Sequence, residues 1–364
     1  MPQDQNTEIT ITREGVEDTI VHNQNTKVLV TGATGYVGSH VTKYLNQKGY
    51  KTVGIDRNVS TRKYITDQLT ETKFYEVAHS GSAELDEIFA SEKPDVVMHL
   101  SASSLVGPSV TDPHRYYENN VSGTISLLGL CVKHNVNKFV FTSTSSVYGN
   151  GHKPPISEDV DKQPLTSYGG SKLMIEYILT DYFKAYGLNS VTLRLFNVCG
   201  ADPEHKLGEV KNAPTHLIPS VMDTALGRRD VFKIFGTDYD TRDGTAIRDY
   251  THVWDVAKAF EMSIGFMNNN LNAGDHVFNI GASGGHSVQE VVDAMERTLG
   301  KKVPVEKHEP REGDPECVIA DVSRAKTKLG WEPEKSDIDT ICQDTVKWFD
   351  TDIYKSIDIK KVVQ

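Results

Sequence analysis

The chain has 364 residues, more than one hydrophobic core usually serves, so we expect two lobes. Its formal net charge of -11 and the lack of clustered Lys and Arg argue against a nucleic-acid partner. No apolar run reaches the length of about 18 residues that a membrane span needs, so no membrane partner is expected.

Residues 1–25 are polar and lack the apolar stretch of a signal peptide, so we expect a flexible tail or a small added β-segment there. The cysteines have no CxxC spacing; they are Cys131, Cys199, Cys317 and Cys342. Neither a metal site nor a disulfide framework is therefore expected, and a reducing, cytoplasmic location fits.

From residue 27 the chain alternates short apolar runs with helical patterns. The apolar runs show little alternation, which is typical of strands buried on both faces of a parallel sheet. The predicted strands are Lys27–Thr31, Lys51–Ile55, Phe74–Val77, Asp95–Leu100, Lys138–Thr142 and Ser190–Leu195, and helices are predicted near 37–48, 83–91, 122–134 and 169–187. This order predicts an α/β fold with a Rossmann-type, doubly wound parallel sheet.

After about residue 196 the pattern loosens, which favours a smaller, loop-rich α/β C-terminal lobe. Helical patterns return near 216–227, 253–266, 287–299 and 337–350. The strand-like run Val277–Ile280 is expected to rejoin the first sheet.

A glycine-rich turn separates the first predicted strand from the first helix. Gly32, Gly35 and Gly38 let the backbone approach a pyrophosphate closely, and the helix N-terminus offers free N–H groups to it. The second strand is followed by Asp56, whose carboxylate would accept hydrogen bonds from a ribose and repel a 2′-phosphate. This context favours NAD over NADP, although Arg57 follows directly; a glycine turn that binds nothing is the alternative.

Tyr168 and Lys172 form a YxxxK at the start of a long predicted helix. The spacing alone has little weight, because Tyr44 and Lys48 have it too. In a helix the pair lies on one face, where the ammonium would lower the phenol pKa from its usual value of about 10. A phenolate of this kind can remove a proton from a sugar or alcohol hydroxyl.

Four hydroxyl residues, 143–146, follow the strand Lys138–Thr142. Open α/β sheets bind ligands beyond the carboxyl ends of their strands, so a hydroxyl here is expected to share a hydrogen bond with the substrate. A solvated loop is the alternative.

With these motifs the chain resembles the extended short-chain dehydrogenase/reductases, and within them the nucleotide-sugar 4-epimerases of UDP-glucose and UDP-galactose. The resemblance runs from about Lys27 to Trp331. The matching stretches are TGATGYVGSH (31–40), YYENNVSGT (116–124), SSVYG (145–149), SYGGSKLMIEYIL (167–179), RLFN (194–197), THLIP (215–219), ALGRRD (225–230), IFGTDYDTRDGT (234–245), RDYTHV (248–253) and REGD (311–314).

The resemblance implies a redox-neutral reaction of a UDP-sugar. Tyr168 removes the proton of the sugar 4-hydroxyl, helped by Thr144, while C4 gives a hydride to tightly held NAD. The 4-keto sugar then turns, and the hydride returns to its opposite face. Lys172 both tunes Tyr168 and binds the nicotinamide ribose. A homodimer built from the helices near 122–134 and 169–187 is also implied.

The resemblance also assigns site residues. The cofactor contacts it implies are Gly32, Gly35, Tyr36, Val37, Gly38, Asp56, Leu100, Ser101, Asn120, Tyr168, Lys172 and Phe196. The implied substrate contacts are Thr144, Asn197, His216, Leu217, Phe235, Arg248, Arg311, Asp314 and Val318. Arg248 and Arg311 would clamp the diphosphate, since guanidinium groups suit phosphate oxygens, and Phe235 would lie beside the uracil. For Arg248 a surface ion pair with Asp249 is the alternative.

Four positions depart from the family pattern. Ala78 stands where an Asp often holds adenine, and Ser104 where a Lys often lies near the cofactor phosphates; both changes are expected to weaken NAD binding. Leu195 replaces a common Tyr. Val318, or Cys317 if the alignment shifts by one residue, stands where some members have a large Tyr that excludes N-acetylated sugars.

Other functions stay open at this point. The substrate alternatives are UDP-N-acetylglucosamine, UDP-glucuronate and a UDP-pentose, and a decarboxylase is a related possibility. A nucleotide-sugar dehydratase is disfavoured because Ser145 and Ser146 stand where those enzymes carry Asp and Glu. A non-enzymatic NAD-binding regulator would be expected to lack Tyr168 or Lys172, and both are present.

The expected organisation combines these observations. It consists of an N-terminal tail over 1–25, an NAD-binding domain over 26–196 to which 250–281 returns, a substrate-binding lobe over 197–249 and 282–350, and a C-terminal tail over 351–364.

Overall fold

The computed structural model describes residues 6–13, 16–23, 25–270, 275–311 and 313–362. The chain forms two compact units. Unit 1 takes the chain up to Ser143 together with Thr166–Leu193 and Ala257–Val277, and unit 2 takes Thr144–Leu165, Arg194–Val256 and the chain from Phe278 onward.

Strands and helices alternate over the first half of the chain. In chain order, strands β1 to β16 are Asn6–Arg13, Val16–Asn23, Lys27–Thr31, Lys51–Asp56, Lys73–Glu76, Val96–His99, Lys138–Thr144, Asn189–Leu195, Asn197–Cys199, Phe232–Phe235, Ile247–Arg248, Tyr250–His252, Asp275–Ile280, His286–Ser287, Val305–His308 and Cys317–Val318. Helices α1 to α12 are Tyr36–Gln47, Lys63–Thr66, Ala83–Glu92, Val106–Thr111, Pro113–Tyr116, Gly123–Lys133, Ser167–Tyr186, Leu217–Ala225, Val253–Asn269, Val288–Leu299, Ile338–Asp350 and Asp352–Ser356.

Seven strands form one sheet in the order β13-β8-β7-β6-β3-β4-β5. The pairs β3–β4, β3–β6, β4–β5 and β6–β7 are parallel. The order runs outward from β3 in both directions, which is the doubly wound arrangement that the alternating pattern predicts. The α/β prediction is confirmed, and β13 joins the sheet beside β8 as expected.

The predicted strands and helices all correspond to observed elements. The largest difference in bounds is at α9, which ends at Asn269 where the pattern predicted 266. Strand β7 continues to Thr144, so Ser143 and Thr144 belong to the strand and not to a loop. Residues Ser145–Val147 then form one 3-10 turn. Among the described residues no helix has the length and apolarity to cross a membrane.

The two chain ends contain regular structure. Strands β1 and β2 pair antiparallel, whereas residues 1–5 of the expected N-terminal tail lie outside the described residues. The region expected to be a C-terminal tail contains α12, whose Tyr354 is buried with its ring centroid 4.4 Å from that of Phe349. Burial of this aromatic ring fixes the end of the chain on the core of unit 2, and residues 363–364 lie outside the described part.

Unit 2 is built from short strands around a separate core. Strands β10 and β15 pair in parallel, β9 pairs with β12, and β11 lies between β14 and β16. Trp348, Met222 and Ile234 are among the buried residues of this core. These short pairings position the side chains of the second half of the predicted site.

Candidate active site

The glycine turn of unit 1 is a tightly closed loop between β3 and α1. Gly32 has φ +69°, a conformation that glycine tolerates best, and its N–H donates to the carbonyl of Ile55 at 2.9 Å. At Gly38 a Cβ would lie 2.0 Å from the carbonyl oxygen of Gly32, so no larger residue fits there. Helix α1 starts at Tyr36 and Val37. Its N-cap residue is Gly35, which provides no side-chain hydrogen bond. The first N–H groups of α1 therefore have no side-chain cap.

Asp56 holds this loop from the end of β4. Its carboxylate accepts the N–H of Thr34 at 3.2 Å and that of Asn58 at 3.1 Å, and Arg62 donates to the carbonyl of Thr34 at 2.8 Å. The Thr34 hydroxyl is buried and has no hydrogen-bond partner among the described residues. A narrow glycine cradle, an uncapped helix start and a carboxylate at the neighbouring strand end fit a dinucleotide.

Leu100 and Ser101 pass directly behind the glycine turn. Both N–H groups donate to the Thr31 hydroxyl at 3.2 Å. Because that hydroxyl accepts twice, its own proton points to Nδ1 of the buried His99, 2.7 Å away. Sequence reasoning missed His99; a histidine that ends a fully buried strand was the available signal.

His99 is a neutral residue of this network. Its Nε2 is 2.9 Å from the hydroxyl of Thr124, which donates to the carbonyl of Asn120. Burial is the main reason that the pKa of His99 lies well below its usual value. The ring therefore links β3, β6 and α6 through hydrogen bonds without adding a charge.

Asn120 is buried, and its amide is fully used within unit 1. Its Oδ1 accepts the N–H of Ser103 at 2.8 Å, and its Nδ2 donates to the Ser103 carbonyl and to the Ser171 hydroxyl. It thus joins the loop after β6 to the start of α7. This is a positioning role, while its predicted cofactor contact stays a prediction.

Helix α7 carries the predicted catalytic pair. Thr166 caps it by accepting the N–H of Gly169 at 3.3 Å, and Gly187 ends it in the left-handed conformation. Tyr168 lies in the first turn and is half-buried, and Lys172 follows one turn later on the same face.

Lys172 is buried, with only 2 % of its surface exposed. Its Nζ donates to the Thr142 carbonyl at 2.7 Å and lies 4.8 Å from the centroid of the Phe141 ring. Burial lowers the pKa of Lys172 to about 7, and the charge of Glu176 opposes this decrease. The amine can therefore gain and lose a proton near neutral pH.

Glu176 lies one turn beyond Lys172 and is also buried. It accepts a hydrogen bond from the Ser143 hydroxyl at 2.6 Å, which ties α7 to the end of β7. Sequence reasoning did not single out Glu176. Its place four residues after the lysine, on the same helix face, was the signal.

Thr144 is the last residue of β7, and its hydroxyl lies 3.2 Å from that of Ser146 and accepts the Ser146 N–H. Of the family departures, Ala78 is half-buried and Ser104 is exposed. Beside Ala78, the buried His79 has its Nε2 3.0 Å from the carbonyl of Asn119, and burial lowers its pKa. The segment after β5 therefore places a buried histidine of lowered pKa next to Ala78.

In unit 2, Arg248 pairs with a distant carboxylate. Its Nη2 donates to Oδ1 of Asp314 at 2.5 Å, and its Nη1 donates to the carbonyl of Ile247. Asp249 instead accepts the N–H groups of Ala282, Ser283 and Ala320, so the alternative Arg248–Asp249 pair is absent among the described residues.

Arg311 lies over Phe235 in the same unit. Its guanidinium carbon is 4.1 Å from the ring centroid, a cation–π geometry. Phe235 ends β10, and its register partner on β15 is His308. Val318 is the register partner of Arg248 between β16 and β11. These pairings bring a ring, two guanidinium groups and a carboxylate into one unit.

The remaining predicted residues lie at element ends of unit 2. Phe196 is buried, with its N–H on the carbonyl of Ile280, and the exposed Asn197 starts β9. His216 precedes Leu217 at the start of α8, with its Nδ1 2.8 Å from the buried carboxylate of Glu209. Leu195 is buried at the end of β8.

Comparisons with known proteins define the class. A family model described as "NAD dependent epimerase/dehydratase family" matches residues 28–281, more than half of the chain. The chain therefore belongs to the NAD-dependent epimerase/dehydratase family. The predicted resemblance to the extended short-chain dehydrogenase/reductases is confirmed.

Three relatives narrow the similarity. The UDP-glucose 4-epimerase of Halalkalibacterium halodurans is 40% identical over 321 residues, which is 88% of this chain and 95% of that protein. The structure of UDP-glucose 4-epimerase from Brucella ovis in complex with NAD has a TM-score of 0.83 at 40% identity and covers 88% of this chain and 97% of its own. The Bifidobacterium longum enzyme in complex with NAD+ and UDP also has a TM-score of 0.83, at 34% identity over 90% of this chain and 99% of its own.

Proposed function

We propose that this chain is an NAD-dependent UDP-glucose 4-epimerase that interconverts UDP-glucose and UDP-galactose. The observation that carries the proposal is the buried Lys172 amino group, one helical turn after Tyr168 and hydrogen-bonded to the Thr142 carbonyl at 2.7 Å, in a chain of this family. The epimerases of similar length and about 40% identity support the substrate class.

Tyr168 acts as the acid–base group in this proposal. Its phenolate takes the proton of the sugar 4-hydroxyl and later returns it, and Thr144 shares a hydrogen bond with the same oxygen. The Lys172 ammonium stabilises the phenolate electrostatically. Because Lys172 is buried and has a carbonyl and a ring as neighbours, its charge is screened very little by water.

The glycine loop, Asp56 and the backbone around Leu100 and Ser101 would hold the dinucleotide. Bound there, NAD would supply reversible hydride transfer at C4 of the sugar. The uncapped start of α1 neutralises phosphate charge, and the Asp56 carboxylate selects a free ribose over a 2′-phosphate. We thus assign cofactor binding to unit 1.

The nucleotide part of the substrate is assigned to unit 2. Arg248 and Arg311 would bind the diphosphate, and Phe235 would stack on the uracil. In the structure Arg248 is held by Asp314, so an incoming diphosphate competes for, or shares, a guanidinium that is already in place. Such preorganisation reduces the entropy lost on binding.

We also propose a homodimer formed by α6 and α7, and a cytoplasmic location. Met174 and Tyr177 are 46% and 61% exposed although apolar or aromatic, and Ile125 of α6 is 43% exposed. Tyr117 extends this face, because a Cβ on Gly170 would lie 3.3 Å from its hydroxyl oxygen. Exposed apolar side chains on adjacent helices are typical of an association surface.

The dimer is tested by charging this face. Met174→Glu should shift the chain from dimer to monomer in sedimentation equilibrium, because an unpaired carboxylate would be buried on association. Lys302→Glu, which adds the same carboxylate at an exposed position of unit 2, is the control and should stay dimeric. A monomeric wild type, or a dimeric Met174→Glu, contradicts the assignment.

The activity is tested with a panel of UDP-sugars. Purified protein is incubated with UDP-glucose, UDP-galactose, UDP-N-acetylglucosamine, UDP-xylose and UDP-glucuronate, and the products are separated by anion-exchange chromatography. UDP-glucose and UDP-galactose should reach the same final mixture from either side, with no net NADH. If none of the five sugars is converted, the epimerase assignment is wrong. If another UDP-sugar is converted faster than UDP-glucose, that sugar replaces UDP-glucose as the proposed substrate.

A further inference from the structure

Tyr239 is an aromatic residue of unit 2 that has no predicted contact with the cofactor or the substrate. It lies in the loop between β10 and β11, four residues after Phe235. Its hydroxyl oxygen is buried from solvent and makes no hydrogen bond to any residue in the described part of the chain. Buried phenol hydroxyls usually find a partner, so this one requires an explanation.

The loop fixes the Tyr239 ring in place. A Cβ at Gly236 would lie 2.2 Å from Cε2 of Tyr239, so the ring lies directly on the Gly236 backbone. The N–H of Tyr239 donates to the carbonyl of Gly244 at 3.0 Å, and the N–H of Gly236 donates to that of His308 at 2.9 Å. The Tyr239 ring therefore lies beside the end of β10, next to Phe235, whose own ring centroid is 4.1 Å from the guanidinium carbon of Arg311.

Charged groups of unit 2 act on the phenol of Tyr239. Burial raises the pKa of Tyr239, the Asp314 carboxylate raises it further, and the guanidinium groups of Arg248 and Arg311 oppose the rise. The phenol therefore keeps its proton near neutral pH and can only act there as a neutral donor or acceptor. The carboxylate of Asp238 raises the pKa as well. An anion bound by the two arginines would meet a hydroxyl donor that has no protein acceptor.

We infer that the hydroxyl of Tyr239 is a third ligand of the substrate diphosphate, donating a hydrogen bond to a phosphate oxygen beside Arg248 and Arg311. This inference rests on the proposed function, because it assumes that the two arginines bind the diphosphate of a UDP-sugar. Asp314 is a poorer partner for the hydroxyl, since its Oδ1 already accepts from Arg248 and the structure forms no Tyr239–Asp314 hydrogen bond.

The test compares Tyr239→Phe with wild type by calorimetric titration of UDP and by displacement of UDP with uridine, in the NAD-loaded full-length protein. Loss of a hydrogen bond to a charged group should raise the Kd for UDP about 10-fold. Uridine has no phosphate, so its affinity should stay within about 2-fold, given that only the phosphate contact is removed.

Tyr354→Phe is the matched control. Its hydroxyl already accepts a hydrogen bond from Arg228, which is neither of the two arginines assigned to the diphosphate. This variant should lower Tm and leave the Kd for UDP unchanged, whereas Tyr239→Phe should keep Tm because it removes a hydroxyl without a protein partner. If Tyr239→Phe also lowers Tm, the ratio of UDP to uridine affinity still decides, since a folding defect weakens both ligands alike.

Two results overturn the inference alone. One is that wild type and Tyr239→Phe bind UDP equally well. The other is that Tyr239→Phe loses as much affinity for uridine as for UDP, which would place the hydroxyl on the nucleoside. A wild-type chain that binds no UDP overturns the proposed function and the inference with it.

Discussion

Two cationic side chains assigned to the site, Lys172 in unit 1 and Arg248 in unit 2, differ in burial and in their partners. Lys172 of unit 1 is buried, with a carbonyl and the Phe141 ring at its Nζ, and its pKa is lowered to about 7. Arg248 of unit 2 keeps 15% of its side-chain surface exposed and is paired with the Asp314 carboxylate. A group that has to respond to a proton transfer benefits from a site where its charge is only just stable. A group that has to bind an anion benefits from a permanent charge held in position by a carboxylate.

The largest effect should come from removing the acid–base group in unit 1. Tyr168→Phe is expected to lower kcat by roughly 10²- to 10⁴-fold, which is the usual contribution of general acid–base catalysis. The rate of UDP-galactose formation at saturating UDP-glucose measures it. The Kd for UDP should not change, because the nucleotide is assigned to unit 2. Retained turnover would remove Tyr168 from the mechanism.

A smaller effect is expected from the permanent charge of unit 2. Arg248→Ala should raise the Kd for UDP about 100-fold, because it removes a phosphate ligand and leaves the Asp314 carboxylate unpaired. Arg248→Lys keeps the charge but lacks the planar guanidinium, so its Kd for UDP should lie between those of wild type and Arg248→Ala. Calorimetric titration measures all three proteins, and equal affinities would show that the arginine only stabilises the unit.

The smallest effect concerns the proton of Lys172. Between about pH 7 and its ordinary pKa of 10.5, the unfolded chain holds this proton and the folded chain does not. The free energy of unfolding should therefore rise with pH in this window, by on the order of 2 kcal/mol between pH 7 and 9. Urea unfolding of ligand-free wild type minus Lys172→Met isolates this contribution.

Lys184→Met changes an exposed lysine on the same helix and is the control for that measurement. It should follow the wild-type pH dependence. Parallel pH curves for wild type and Lys172→Met would mean that Lys172 keeps an ordinary pKa, and the contrast between the two cations would disappear.

Local patterns in the sequence determined much of the fold. Apolar runs and helical periodicity predicted the order of strands and helices along the chain, since each pattern depends on residues only a few positions apart. The glycine spacing predicted the closed turn, where a side chain at Gly38 would overlap the Gly32 carbonyl. The Tyr168–Lys172 spacing likewise places both side chains on one helix face wherever the helix forms.

The chemical state of these groups was decided only by the tertiary structure. Nothing near Arg248 in the sequence indicates that its partner is Asp314 rather than the adjacent Asp249, which is used by three backbone N–H groups. The lowered pKa of Lys172 arises from burial, and burial depends on strands far along the chain. Pairing and desolvation are set by residues that only folding brings together, whereas periodicity and turn chemistry are already present in the local sequence.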